Sequence, residues 1–274
     1  MDRLSKALDL ARKSHRHVST AKRSSRPGKY EYTTTRVAEI SPADLRRARI
    51  ILPSDHESAQ IDAYRLLRTR VLHKMEQNGW KTIGMTSAGS SEGKTLTAIN
   101  LAISIAREGK YSVMLVDADL RRPAVARCFG LADEKGLAEY LSLDQQLEDL
   151  LVNPCMERLI LLPGGRPQKG ASENLSSVSM LNLVDEVKAR YPNRIVIFDL
   201  PPVLVGDDVV KFTPQLDALL IVVQEGKTKR EELAKALELV KDHNIIGTVL
   251  NCSEDLIQSY GYYRREKSAG KKDK

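Results

Sequence analysis

The segment Ala88-Gly-Ser-Ser-Glu-Gly-Lys-Thr95 joins a short β-rich run at 82–86 to an amphipathic run at 94–108. A strand that turns through a glycine-containing loop into a helix aims several backbone N–H groups and a helix N-terminus at one point. Both carry partial positive charge, so that point accommodates phosphate oxygens. A lysine at the place of Lys94 reaches the outer phosphates of a nucleotide, and a hydroxyl at the place of Thr95 faces Mg²⁺. Ala88 stands where the first glycine of such a loop is usual.

The rest of the chain repeats this alternation. Apolar runs at 112–116, 159–162, 194–198, 218–223 and 247–250 are separated by segments of helical spacing, at 94–108, 180–191 and 229–243 among others. Another helix is expected at 57–76, where Ile61, Tyr64, Leu67 or Arg68, and Val71 recur on one face. Continuous apolar strands separated by helices predict a doubly wound, mostly parallel α/β sheet covered on both faces. No internal repeat interrupts the pattern. The expected organisation is a basic N-terminal extension over 1–50, one nucleotide-binding domain over 51–255, and a basic tail over 256–274. Within the extension, Leu4, Ala7, Leu8 and Ala11 share a face of a short helix, and 14–41 reads as linker.

Charge follows the same division. Of 43 Lys and Arg against 36 Asp and Glu, residues 1–50 hold 13 against 5 and residues 264–274 hold 6 against 2. The body between them is therefore mildly acidic. A nucleic-acid enzyme would carry its basic stripe on the folded domain, and basic ends on an acidic body instead suit anionic lipid, an acidic partner or plain solvation. No apolar run approaches the roughly 18 residues of a membrane-spanning helix, and the first residues lack a secretory core. Cys128, Cys155 and Cys252 lie far apart, which excludes a sequence-local zinc or iron–sulfur site and fits a reducing cytosol. The five histidines show no metal-ligand spacing.

Three aspartates stand at the ends of apolar runs. Asp117 and Asp119, two residues apart on an extended segment, point to the same side at the carboxyl edge of the sheet, where open α/β folds place ligands. Asp199 closes another strand and has the usual position of a carboxylate that holds Mg²⁺ through water. Asn251 ends the last strand with an amide able to read a base edge.

These motifs in this order resemble the bacterial tyrosine kinases, the cytoplasmic kinases and kinase domains of capsule and exopolysaccharide synthesis. The resemblance covers roughly 55–263. Asp117-Ala-Asp119-Leu-Arg121-Arg-Pro123 is similar to that family's second Walker-type motif, and Asp199-Leu-Pro201-Pro202, followed by Asp208, to its later one. Asp62-x-x-Arg65-x-x-Arg68 resembles the helical segment with which members dock on a neighbouring subunit, with Asp in place of Glu. Tyr260-Gly-Tyr262-Tyr263 is similar to the tail cluster where autophosphorylation occurs. Ser90 and Ser91 stand where the family has Pro-Gly. The partitioning and septum-site ATPases carry an extra lysine early in the loop, where this chain has Gly89.

The resemblance implies an ATP- and Mg²⁺-dependent protein-tyrosine autokinase that modifies tail tyrosines between subunits. Gly89, Ser90, Ser91, Glu92, Gly93, Lys94, Thr95, Leu96, Arg121 and Asn251 would bind the nucleotide, and Thr95, Asp119 and Asp199 the metal. Lys94, Asp117, Asp119 and Asp199 would be catalytic, with Asp117 as the base. The implied partners are further copies of the chain, a separate membrane-spanning co-polymerase that sets polysaccharide chain length and acts as activator, and a cognate tyrosine phosphatase, with no nucleic acid. The implied location is the cytoplasm, at the inner face of the membrane through that partner. Two alternatives stand beside this reading: a nucleotide-dependent scaffold of polysaccharide assembly with little kinase activity, and a partitioning-type ATPase.

Overall fold

The computed structural model describes residues 35–253 apart from 53, 54, 56, 57, 132, 133, 144 and 192. The helix expected within 1–13, most of the linker and the tail tyrosines Tyr260, Tyr262 and Tyr263 lie outside them. Eight strands form one sheet: β1 (Arg36–Val37), β2 (Thr82–Ser87), β3 (Ser112–Asp117), β4 (Val152–Asn153), β5 (Leu159–Leu162), β6 (Arg194–Asp199), β7 (Ala218–Gln224) and β8 (Ile245–Asn251). Their order is β1-β4-β5-β3-β6-β2-β7-β8, and every pairing is parallel except β4 with β5.

The helices are α1 (Pro42–Arg47), α2 (Ala59–Asn78), α3 (Lys94–Glu108), α4 (Val125–Cys128), α5 (Leu137–Leu143), α6 (Leu147–Leu150), α7 (Ala171–Leu175), α8 (Val178–Arg190), α9 (Asp208–Phe212) and α10 (Arg230–Leu239). Successive residues of β3 divide the core between them, because side chains alternate across a strand. Val113 and Leu115 pack with the apolar faces of α2 and α3, while Met114 and Val116 pack with those of α5 to α10. The sheet is thus buried on both faces, which is why its strands read as unbroken apolar runs. On the second face Phe198 meets Phe212 edge to face, with ring centroids 5.4 Å apart.

The folded part begins earlier than residue 51. β1 pairs with β4, Leu45 of α1 and Ile50 are buried against α2 and α3, and Asn100 Oδ1 accepts from the Ile51 amide at 2.9 Å. A two-residue strand and a six-residue helix are too short to show periodicity, so residues 36–50 read as extension. Local capping explains the shifted helix ends. Ser58 accepts from the Ile61 amide at 3.1 Å and starts α2 two residues past the expected 57, while Gly79, in the left-handed region, ends it. Ser177 similarly caps α8 and moves its start back to Val178. α10 stops at Leu239, short of the expected 243, and β8 starts two residues early, at Ile245.

Candidate functional site

Strands β2, β3 and β6 lie side by side and end at one edge, so the residues that follow them converge. In register, Asp117 is paired with Asp199, and Met85 with Asp199 on the other side. The loop after β2 runs into α3, whose first residue is Lys94. Gly93, at φ 86°, makes the turn, and a Cβ there would come within 2.0 Å of Asn251 Nδ2. Ser91 also lies in the left-handed region, at φ 58°, a conformation that glycine adopts at far lower cost.

Lys94 Nζ sits 3.1 Å from Asp119 Oδ2 and 3.3 Å from Asp199 Oδ1. Thr95 Oγ1 donates to Asp199 Oδ2 at 2.6 Å. Burial works against the Lys94 charge, but Asp199 and then Asp119 outweigh it and raise its pKa. Asp199, buried without exposure, is pushed up by desolvation against the pull of Lys94. Asp117 is also wholly buried; Oδ2 accepts from the Ala124 and Val125 amides at 2.8 and 2.9 Å, whereas Oδ1 has no hydrogen-bond partner. Burial, and after it the Asp199 charge, push the Asp117 carboxyl up to about 7. Arg121 Nε is held 3.0 Å from Asp208 Oδ2.

A cleft of about 740 Å³ opens over this edge. Ser90, Ser91, Gly93, Lys94, Thr95, Leu96, Asp119 and Arg121 line it. Gly89, Glu92 and Asn251 do not reach its wall. Glu92 is buried behind the loop, accepting from Thr228 Oγ1 at 2.7 Å, and Asn251 Nδ2 donates to the Glu92 carbonyl at 3.0 Å. In this arrangement Asn251 braces the loop. Asp117 and Asp199 lie beneath the cleft floor. On α2, Arg65 pairs with Asp62 at 2.9 Å, as spacing predicts, but Arg68 turns inward to Glu108 of α3 at 2.8 Å and to the Ser104 carbonyl.

Sequence reasoning missed Lys227 and Thr228. Lys227 Nζ donates to the carbonyls of Ser90 and Ser91, both at 2.9 Å. No local motif marks these residues. They become visible only once β7 is known to lie beside β2, which sets the turn after β7 against the phosphate loop.

Residues 80–247 match the AAA domain family, whose P-loop chemistry is the use of a nucleotide. The chain is 34% identical over 217 residues to the tyrosine-protein kinase YwqD of Bacillus subtilis (strain 168), covering 78% of this chain and 90% of that one. It is 27% identical over 214 residues to the tyrosine-protein kinase CpsD of Streptococcus agalactiae, over 77% and 90% of the two chains. Among solved structures, the chimerical protein CapA2B2 superposes with a TM-score of 0.67 at 26% identity, over 79% of this chain and 93% of that one. With that fold, that loop and these relatives, the chain belongs to the bacterial tyrosine-protein kinases.

Proposed function

We propose that this kinase transfers the γ-phosphoryl group of Mg·ATP to tyrosines of the C-terminal tail, Tyr260, Tyr262 and Tyr263, of neighbouring copies, in control of capsule or exopolysaccharide polymerisation and export. The observation that carries the reading is the convergence of Lys94, Thr95, Asp119 and Asp199 under one cleft. Phosphoryl transfer asks for positioning and charge neutralisation more than for covalent chemistry.

The donor set fits Mg²⁺. Thr95, Asp119 and Asp199 offer hard oxygens, and a cation, Lys94 Nζ, is already favoured between the two carboxylates. Among the described residues no closed cage of three or more ligands exists, as suits an ion held by one or two protein oxygens and substrate phosphates. When bound, Mg²⁺ neutralises charge on the transferring phosphoryl group. Thr95 and Asp119 would hold it directly and Asp199 through water. Lys94 would then swing from the carboxylates to the phosphates. Asp117 would accept the phenol proton, a task for which a carboxyl raised to about 7 is better matched than an ordinary one. The covering segment at Pro123 and Ala124 would have to open to admit the phenol.

Among the described residues no helix is long and apolar enough to cross a membrane. The proposed membrane-spanning activator is a separate protein that recruits the kinase to the inner face of the membrane, and a tyrosine phosphatase resets it. Incubation with radiolabelled ATP and Mg²⁺ followed by phospho-amino-acid analysis tests the reading. Labelled phosphotyrosine in the tail is expected. Hydrolysis without phosphotyrosine would leave a nucleotide-dependent scaffold.

A further inference from the structure

Beside the catalytic cleft, across the segment that follows Asp119, lies a second groove of about 560 Å³. Arg121, Arg122 and Arg127 line both cavities, so the two are contiguous. The far wall is the turn after β5, which brings Arg166 to face them. Among the described residues, four guanidinium groups therefore line the groove against one carboxylate, Glu134, and Glu134 is itself paired with Arg36. Arg121 is tied to Asp208, and among the described residues Arg127 donates only to the Pro123 carbonyl. Arg122 and Arg166 have no side-chain partner among the described residues, and both are exposed. Among the described residues, three cationic side chains of the groove thus lack a carboxylate counterpart.

The groove is built rather than incidental. Buried Glu139 accepts from the Gly136 amide at 2.7 Å and from the Arg166 amide at 3.2 Å, which fixes the turn that carries Arg166. A Cβ on Gly165 would come within 2.1 Å of Glu139 Oε2, so the turn packs as closely as its backbone permits. The Gln168 amide donates to the Leu120 carbonyl at 2.8 Å and locks the two walls together. Between the arginines, Pro123, Leu131 and Pro167 offer apolar surface.

Clustered arginines suit a phosphate, because each guanidinium donates a planar pair of charge-assisted bonds. The apolar atoms beside them suit a ring. We propose that this groove is a phosphotyrosine subsite that holds an already phosphorylated tail tyrosine of a second copy of this chain, while a neighbouring tyrosine enters the cleft. The proposal rests on tail phosphorylation as the function. The spacing of the tail fits it: Tyr260 and Tyr262 are two residues apart, about 7 Å along an extended chain and on one side of it. A single phosphate on the tail would then strengthen docking of the rest.

Equilibrium binding decides this without need of catalysis. The full chain with Tyr260, Tyr262 and Tyr263 replaced by Phe, loaded with Mg·ADP, is titrated with fluorescent peptides of residues 254–267. The peptides are unmodified, phosphorylated at Tyr260, or carry phosphoserine at 260. The Tyr260-phosphorylated peptide should bind about tenfold more tightly than the unmodified one, as expected for two solvent-exposed ion pairs, and more tightly than the phosphoserine peptide. Arg166→Glu and Arg166→Ala should abolish the preference and leave ADP affinity unchanged. Equal binding of phosphorylated and unmodified peptides, or a preference that survives Arg166→Glu, would overturn the proposal. So would a preference for phosphoserine, or one seen only without nucleotide, since the phosphate would then be in the nucleotide's own loop. Absence of phosphotyrosine after incubation with Mg·ATP is a separate result, and it would count against the kinase reading instead.

Discussion

Lys227 Nζ donates at 2.9 Å to the Ser91 carbonyl, on a residue held at φ 58°. A left-handed serine costs on the order of 1 kcal/mol or more. The lysine, which also takes the Ser90 carbonyl, draws both oxygens to one side, so that amides of the loop remain free for phosphate. Ser90 and Ser91 stand where the resembling family has Pro-Gly, and Lys227 secures by bonding what that pair would secure by conformation. Lys227→Met should raise KM for ATP about threefold to tenfold with little change in kcat, the size expected for an exposed charged group. In a Ser91→Gly background the loss should shrink. Steady-state kinetics on the four proteins of the cycle test it, and additive effects would refute the coupling.

Lys94→Met should leave the fold intact and abolish phosphotyrosine formation, because the phosphate-neutralising charge is lost from the transition state. Its removal also leaves Asp119 and Asp199 without their cation. The variant's Tm should therefore rise as pH is lowered and Asp199, whose carboxyl burial already pushes up, protonates. Persistent phosphotyrosine in the purified variant would sink the kinase assignment.

Much of this site was legible in the sequence because each strand end carries its own signal. Asp117 and Asp199 close apolar runs, and the loop before Lys94 announces itself by its glycines. The helix at 94–108 matches α3 from end to end, since glycines in the left-handed region flank it on both sides. What the sequence hid was lateral. Lys227 and Thr228 reach the loop across more than a hundred residues, through a strand order that no local pattern encodes. Arg68 belongs to the segment that resembles a docking helix, but α3 packs against α2 and places Glu108 within its reach. The inward position of Asn251 likewise depends on β8 lying next to β7 and on the missing side chain of Gly93.

The pH dependence follows from Asp117. Its carboxyl is raised to about 7 in the folded protein by burial and by Asp199, against about 3.9 in an unfolded chain. If its ionised form takes the phenol proton, kcat/KM at limiting Mg·ATP should climb as pH rises through about 7 and level off above. For stability the sign is opposite. The folded state holds this proton more tightly, so the contribution is greatest below about 3.9 and is lost as pH rises through about 7. Asp117→Asn should therefore remove the ascending limb of the rate profile and flatten that part of the stability profile. Asp119→Asn should instead change the Mg²⁺ concentration needed for half-maximal rate. Identical defects in the two variants would refute the division of roles.

Arg65 and Arg68 separate two contributions to assembly. Arg65 pairs with Asp62 one turn away on the same helix, whereas Arg68 ties α2 to α3 through Glu108. If the α2 face docks on a neighbouring copy, Arg65→Glu should lower the oligomer mass in light scattering without moving Tm by more than about a degree, as for a surface pair. Arg68→Glu should do both, since it sets two like charges together within the fold. An unchanged mass for Arg65→Glu, relative to an oligomeric parent, would return this face to an ordinary solvated surface.

The tail couples the chemistry to assembly through charge. Residues 264–274 carry 6 positive against 2 negative side chains. Each phosphotyrosine adds about −1.5 to −2 charges at neutral pH, so three at Tyr260, Tyr262 and Tyr263 reverse the local sign. One phosphate can be met by the arginine groove; three carry about −4.5 to −6 charges, more than its three arginines without a carboxylate partner can balance, and place negative charge near Asp117, Asp119 and Asp199. Full phosphorylation should therefore favour dissociation, and Tyr→Phe at all three positions should keep the oligomer together. Light scattering of phosphorylated protein, phosphatase-treated protein and the triple Phe variant, at equal concentration and salt, measures this. The first should be lightest, and the difference should narrow as salt rises, because the repulsion is screened over about 10 Å at 0.1 M. Equal masses for all three would show that the tail is a substrate without control over assembly.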